Sequence, residues 1–120
     1  MRLARHLLLA LTLCTSIPTA ALADGAIAYD VNSGAYGWAH NYRSLRPAEE
    51  AALGYCNRRG CRIVSRVPRG ECGALARAER STGWGEAVRR NREDARRAAI
   101  RTCENHNHGQ CRILVMDCTE

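Results

Sequence analysis

The sequence predicts an α+β fold of two pseudo-symmetric strand-strand-helix-strand repeats, a mainly antiparallel sheet with two helices on one face, stapled by disulfides. Three observations carry that prediction. A segment recurs: Gly37-Trp38-Ala39, an Ala-rich run over 44–56 and Cys61-Arg62-Ile63 return as Gly83-Trp84-Gly85, a run over 91–103 and Cys111-Arg112-Ile113. Within each copy the apolar spacing passes from strand to helix and back to strand. Six of the seven cysteines fall within 24–120, three in each copy.

Residues 1–23 read as a secretory signal peptide. Arg2 and Arg5 make a basic start, 7–13 are nearly all apolar, Pro18 breaks any helix, and Ala21-Leu22-Ala23 is a small-x-small pattern for cleavage before Asp24. The apolar run is shorter than the roughly 20 residues of a membrane-spanning helix, which disfavours an uncleaved anchor. Bulky Leu13 before Cys14 argues against lipid attachment there. One disulfide-rich domain, 24–120, is left, with repeats at about 26–72 and 74–118 and a secreted or periplasmic destination. No transmembrane segment is expected in it.

The elements follow in order. Ala26-Ile27-Ala28-Tyr29 is a strand, the turn formers Asp30, Asn32, Ser33 and Gly34 follow, and Tyr36 to Ala39 resume the strand. Ser44 caps a helix whose first turn holds Pro47, where no intrahelical N–H is lost. Ala48, Ala51, Ala52 and Tyr55 share one helical face. The helix stops at Cys56, and 61–67 form a strand that Pro68 ends. In the second copy Ala74-Leu75-Ala76 matches Ala26-Ile27-Ala28, Trp84 matches Trp38, and Asn91 replaces Ser44 as cap. Ala95, Ala98, Ala99 and Thr102 take the places of Ala48, Ala51, Ala52 and Tyr55, and a loop over 104–110 precedes the closing strand from Cys111.

An even cysteine count in a short exported chain is a disulfide framework. The repeat selects the pairing, because a pseudo-twofold arrangement must map the bonds onto themselves. Cys56–Cys61 and Cys103–Cys111 each join a helix end to the next strand within a copy. Cys72 and Cys118 both follow the closing strand of their copy, and so pair across the pseudo-axis.

The full chain carries +6, or +4 without Arg2 and Arg5, and all of its basic side chains are arginine. That balance suits an anionic cell-surface ligand or an acidic protein as partner. The candidate anion-binding residues are Arg89, Arg90, Arg96, Arg97 and Arg101, whose guanidinium forks fit phosphate or carboxylate. Glu93 stands four residues before Arg97 and is expected to pair with it. Exposed aromatics look scarce, which counts against nucleic acid. Trp38 and Trp84, at matching places in the copies, are read as structural aromatics of the core rather than a sugar-stacking platform.

His106 and His108, on the loop over 104–110, could share a weakly held divalent ion. No other cofactor is implied. With every cysteine of the domain bonded there is no thiolate, Ser33, Ser44, Ser65 and Ser81 have no His-Asp pattern near them, and no catalytic residue is assigned. Glu49-Glu50 and Glu93-Asp94 open helices, where the dipole accounts for them. A monomeric binding module, an inhibitor or interaction partner of another envelope protein, is favoured over a structural or stress-related envelope component, with an enzyme third.

Ala26-Ile27-Ala28-Tyr29-Asp30, the Gly-Trp-Ala and Gly-Trp-Gly strands, the Ala-rich helices ending in cysteine and the Cys-Arg-Ile strands together resemble a secreted bacterial family catalogued as domain of unknown function 4189. The likeness runs from Ala26 to Cys118. It implies an exported, disulfide-bearing domain and brings no activity and no catalytic residues.

Overall fold

The computed structural model describes residue 14, residues 24–107 and residues 109–120. The signal-peptide reading of 1–23 and the assignment of His108 therefore lie outside the described residues, apart from Cys14, which is exposed and unbonded. The elements are β1 (Asp24–Tyr29), β2 (Tyr36–Tyr42), α1 (Leu45–Cys56) and β3 (Arg62–Val67), then β4 (Cys72–Ala78), β5 (Trp84–Arg89), α2 (Arg92–Asn107) and β6 (Cys111–Cys118). The class is α+β, and the strand-strand-helix-strand order occurs twice.

Alternation of side-chain size sets the layering. The strands form two three-stranded antiparallel sheets, ordered β2-β1-β3 and β5-β4-β6, in place of one sheet with both helices on one face. Each helix covers its own sheet, and the sheets face each other between the helices. The reason lies in the central strands, which are buried on both faces. Ala26 and Ala28 of β1 meet Ala48, Ala52 and Cys56 of α1, and Ala74 and Ala76 of β4 meet Ala95, Ala99 and Cys103 of α2. The larger residues between them, Ile27, Tyr29 and Leu75, pack together across the two sheets. Alanine lets helix and sheet backbones approach closely, while full burial of Ile27 and Leu75 stabilises the inter-sheet layer by about 1.5–3 kcal/mol each. Polar contacts cross the same layer: Arg77 donates to the Tyr29 hydroxyl at 2.8 Å and to the Val31 carbonyl at 3.5 Å, Trp38 Nε1 to Asp117 at 3.3 Å, and Ser65 to Glu86.

The register corrects one equivalence. Gly37 lies opposite Ala28 and Gly85 opposite Ala76, so these two glycines correspond, and Trp38 corresponds to Glu86. Trp84 takes the place of Tyr36. The two tryptophans are thus one pleat apart in the repeat. The helix imposes this: a Cβ on Gly37 would lie 2.0 Å from the Ala52 carbonyl oxygen, and one on Gly85 would lie 2.3 Å from the Cys103 nitrogen. The closing strands repeat a bulge as well. Ile27 faces Ser65 and Ala28 faces Ile63, which leaves Val64 extra; Leu75 and Ala76 treat Leu114 the same way.

Helix ends differ between the copies. Asn91 Oδ1 accepts the N–H groups of Glu93 and Asp94 at 2.9 and 3.1 Å, whereas the Ser44 side chain makes no capping bond. Asn91→Ala should therefore cost about 1 kcal/mol in a denaturation experiment, and Ser44→Ala close to nothing. The residues expected as a loop over 104–110 mostly extend the helix: α2 runs to Asn107 and takes in His106. Glu104-Asn105-His106-Asn107 adds about one turn. On α1 the buried stripe is Ala48, Ala52 and Cys56; Tyr55, expected on that face, is 66% exposed because it lies at the stripe's margin.

The disulfides are Cys56–Cys61, Cys72–Cys118 and Cys103–Cys111. Cys72 and Cys118 do not meet across the pseudo-axis. Cys72 opens β4, Cys118 closes β6, and the two stand directly opposite each other in the second sheet with Cα atoms 3.9 Å apart. All three bonds therefore lie within a repeat, and the repeats hold each other through the inter-sheet layer.

Candidate functional site

Differences between the copies gather in two places. The first is the arginine surface of the second repeat. Glu93 pairs with Arg96 and Asp94 with Arg97, each three residues on, in place of the expected Glu93–Arg97 pair, because the i,i+3 partners lie nearer on this helix. The Arg96 hydrogen bond holds the Glu93 carboxyl below its ordinary range and raises the guanidinium in turn. Arg92 reaches Asp117 at 3.5 Å. Arg89, Arg90 and Arg101 are exposed and have no carboxylate partner among the described residues. Arg89 only donates to the neighbouring Val88 carbonyl, at 2.8 Å. The five candidate arginines thus divide into two held by carboxylates and three that are not.

The carboxylate pairs at the helix starts are all engaged. Glu49 binds Arg66 and Glu50 binds Arg46, alongside the two pairs of α2. Asp30 sits in the β1–β2 turn, where the Ser33 hydroxyl donates to it at 2.7 Å and lowers its pKa. His106 is exposed in the last turn of α2. Among the described residues no three His, Cys, Asp or Glu side chains are grouped to hold a metal. Among the same residues no helix is long and apolar enough to cross a membrane.

The second place was not singled out from the sequence. Trp38, Ala39, His40, Tyr42 and Tyr55 line a shallow cleft of about 210 Å³ on the outer edge of β2. Ala39 is its buried floor. The Trp38 and His40 rings stack, with centroids 5.6 Å apart and planes 22° from parallel. Tyr42 would belong to the opposite face of the strand from its neighbour Tyr55, but a bulge at Asn41, with φ of 58°, turns it towards α1. Hydrogen bonding of its neutral hydroxyl to that of Tyr55 raises the pKa of Tyr42. Asn41 is held in turn by the Glu120 N–H, which donates to its side-chain oxygen at 3.1 Å. The signal in the sequence was the set of aromatics at positions where the second copy has none: Glu86, Val88, Arg89 and Thr102 stand in place of Trp38, His40, Tyr42 and Tyr55. Trp84 is half-buried in the inter-sheet layer, its ring centroid 5.5 Å from that of Tyr29.

The fold has a solved counterpart. The NMR structure of Rv1813c from Mycobacterium tuberculosis superposes with a TM-score of 0.61 and 28% identity, covering 98% of this chain and 92% of that one. No curated protein matches the chain. The profile of the family described as a domain of unknown function, DUF4189, matches residues 25–118, and with the doubled architecture it places this chain as a member of that family.

Proposed function

We propose that this chain is an exported binding module, cleaved after Ala23, that engages an anionic protein or cell-surface ligand through the arginines of its second repeat. The carrying observation is the run of arginines along α2 and its approach, where Arg89, Arg90 and Arg101 are exposed with no carboxylate partner among the described residues and Arg96 and Arg97 are held by Glu93 and Asp94. Guanidiniums left unpaired on a surface keep their donors and charge for a carboxylate, sulfate or phosphate. Disulfides as the main covalent framework fit an oxidising compartment. Recognition, with no turnover, is the role this reading assigns.

Retention on heparin resin tests it, because attraction to a polyanion weakens as salt screens it. Changing Arg89, Arg90 and Arg101 to Glu should lower the eluting salt markedly. Arg58, Arg59 and Arg62 are also exposed and without a carboxylate partner among the described residues, but they lie on the first repeat. Changing these three to Glu alters the net charge equally and should lower the eluting salt much less. Equal shifts for the two triple variants would reduce the effect to net charge and end the proposal.

A further inference from the structure

We infer that the cleft on β2 is a binding site for a neutral saccharide, with the sugar ring laid against Tyr55 and His40. The lining decides the chemistry. No carboxylate or guanidinium is among the residues that form it, so it offers nothing to a charged ligand. Its walls are aromatic faces ending in polar tips: two phenol hydroxyls and an imidazole. A pyranose has the complementary surface, an apolar face of C–H groups bounded by hydroxyls that both donate and accept. The cleft is too shallow to enclose an apolar ligand, and its floor, Ala39, leaves room for one ring at the edge of the strand. Aromatic grooves also receive proline-rich segments. Here the Trp38 indole N–H, the donor that would reach a peptide carbonyl, is already given to Asp117.

The second repeat acts as an internal comparison. It builds the same strands, helix and layers with Glu86, Val88, Arg89 and Thr102 at the corresponding positions, so the fold does not require aromatics there. It also pairs β4 with β5 without a register shift, whereas β1 and β2 pair with one. The left-handed turn at Asn41 is thus specific to the copy that has the cleft, and its effect is to bring Tyr42 beside Tyr55. A strained non-glycine residue that re-aims a side chain at a strand edge is a mark of a functional site.

Titration of the isotopically labelled protein with chitotriose, cellotriose and maltotriose, followed by NMR, tests the site. At least one sugar should shift the Trp38 indole and the His40, Tyr42 and Tyr55 signals saturably and leave Trp84 unmoved. Tyr55→Ala should weaken that binding by about tenfold or more with an unchanged melting temperature, since the side chain is exposed. Asn41→Gly, which keeps the left-handed turn, should retain binding, and Asn41→Val should lose it. Absence of saturable shifts with all three sugars, unchanged affinity in Tyr55→Ala, or preference of these residues for a proline-rich peptide would each overturn the inference.

Discussion

Replacing Gly37 or Gly85 with alanine is expected to unfold the domain or to cost about 3 kcal/mol or more. At Gly37 the new Cβ would meet the Ala52 carbonyl oxygen at 2.0 Å and the Cys56 nitrogen at 2.5 Å; at Gly85 it would meet the Cys103 nitrogen at 2.3 Å and the Ala99 oxygen at 2.7 Å. Both obstacles are backbone, so no rotamer change relieves them. The helix must move away, and the alanine layer that needs close approach then loses its contacts. Gly54, in α1, has nothing within 4 Å of its Cβ position. Gly54→Ala should therefore stabilise by as much as about 1 kcal/mol through helix propensity. Thermal melts of the three variants check both signs, and near-native stability in Gly37→Ala would contradict the register.

Removal of the Cys72–Cys118 bond should be the costliest disulfide loss. It closes a span of 46 residues, against 5 for Cys56–Cys61 and 8 for Cys103–Cys111. On chain-entropy grounds it contributes about 4 kcal/mol, the short loops about 2 kcal/mol each. Total stabilities of small domains are of the same order. Guanidinium denaturation of the double variant Cys72→Ala/Cys118→Ala should show a much larger fall than Cys56→Ala/Cys61→Ala. Hydrogen exchange should locate the first opening at the β4–β6 pairing, where the bond lies. Equal losses for the two variants would show that the bond constrains little of the unfolded chain.

Local features were legible in the sequence wherever one residue type answers one local demand. Ala48, Ala52, Ala95 and Ala99 mark helical faces because only their spacing is needed, and Asn91 marks a cap because its side chain reaches the next backbone N–H groups. What depended on pairing between distant strands was not legible. The Gly-Trp dipeptides at 37–38 and 83–84 suggested equivalent tryptophans, but the position that cannot carry a side chain is Gly37 in one copy and Gly85 in the other. Cys72 follows β3 along the chain yet opens β4 in space, so its partner follows from the second sheet rather than from symmetry. The two-sheet arrangement was present in the alternation Ala26-Ile27-Ala28-Tyr29 and Ala74-Leu75-Ala76-Arg77, read by size. Read by polarity, those strands show only that both faces are buried. The cleft stayed hidden because the bulge at Asn41, which moves Tyr42 to the other face, has no sequence signature beyond an asparagine.

Face-to-face packing of the two repeats gives each its own exposed surface, the aromatic edge on the first and the arginines on the second. A three-dimensional NOE experiment on methyl- and aromatic-labelled protein tests that packing most directly. Stacked sheets predict cross-peaks between the Ile27 and Leu75 methyls and between the Tyr29 and Trp84 rings, with none between α1 and α2. Cross-peaks between the alanines of α1 and those of α2, together with no Ile27–Leu75 contact, would contradict it and restore a single sheet carrying both helices on one face.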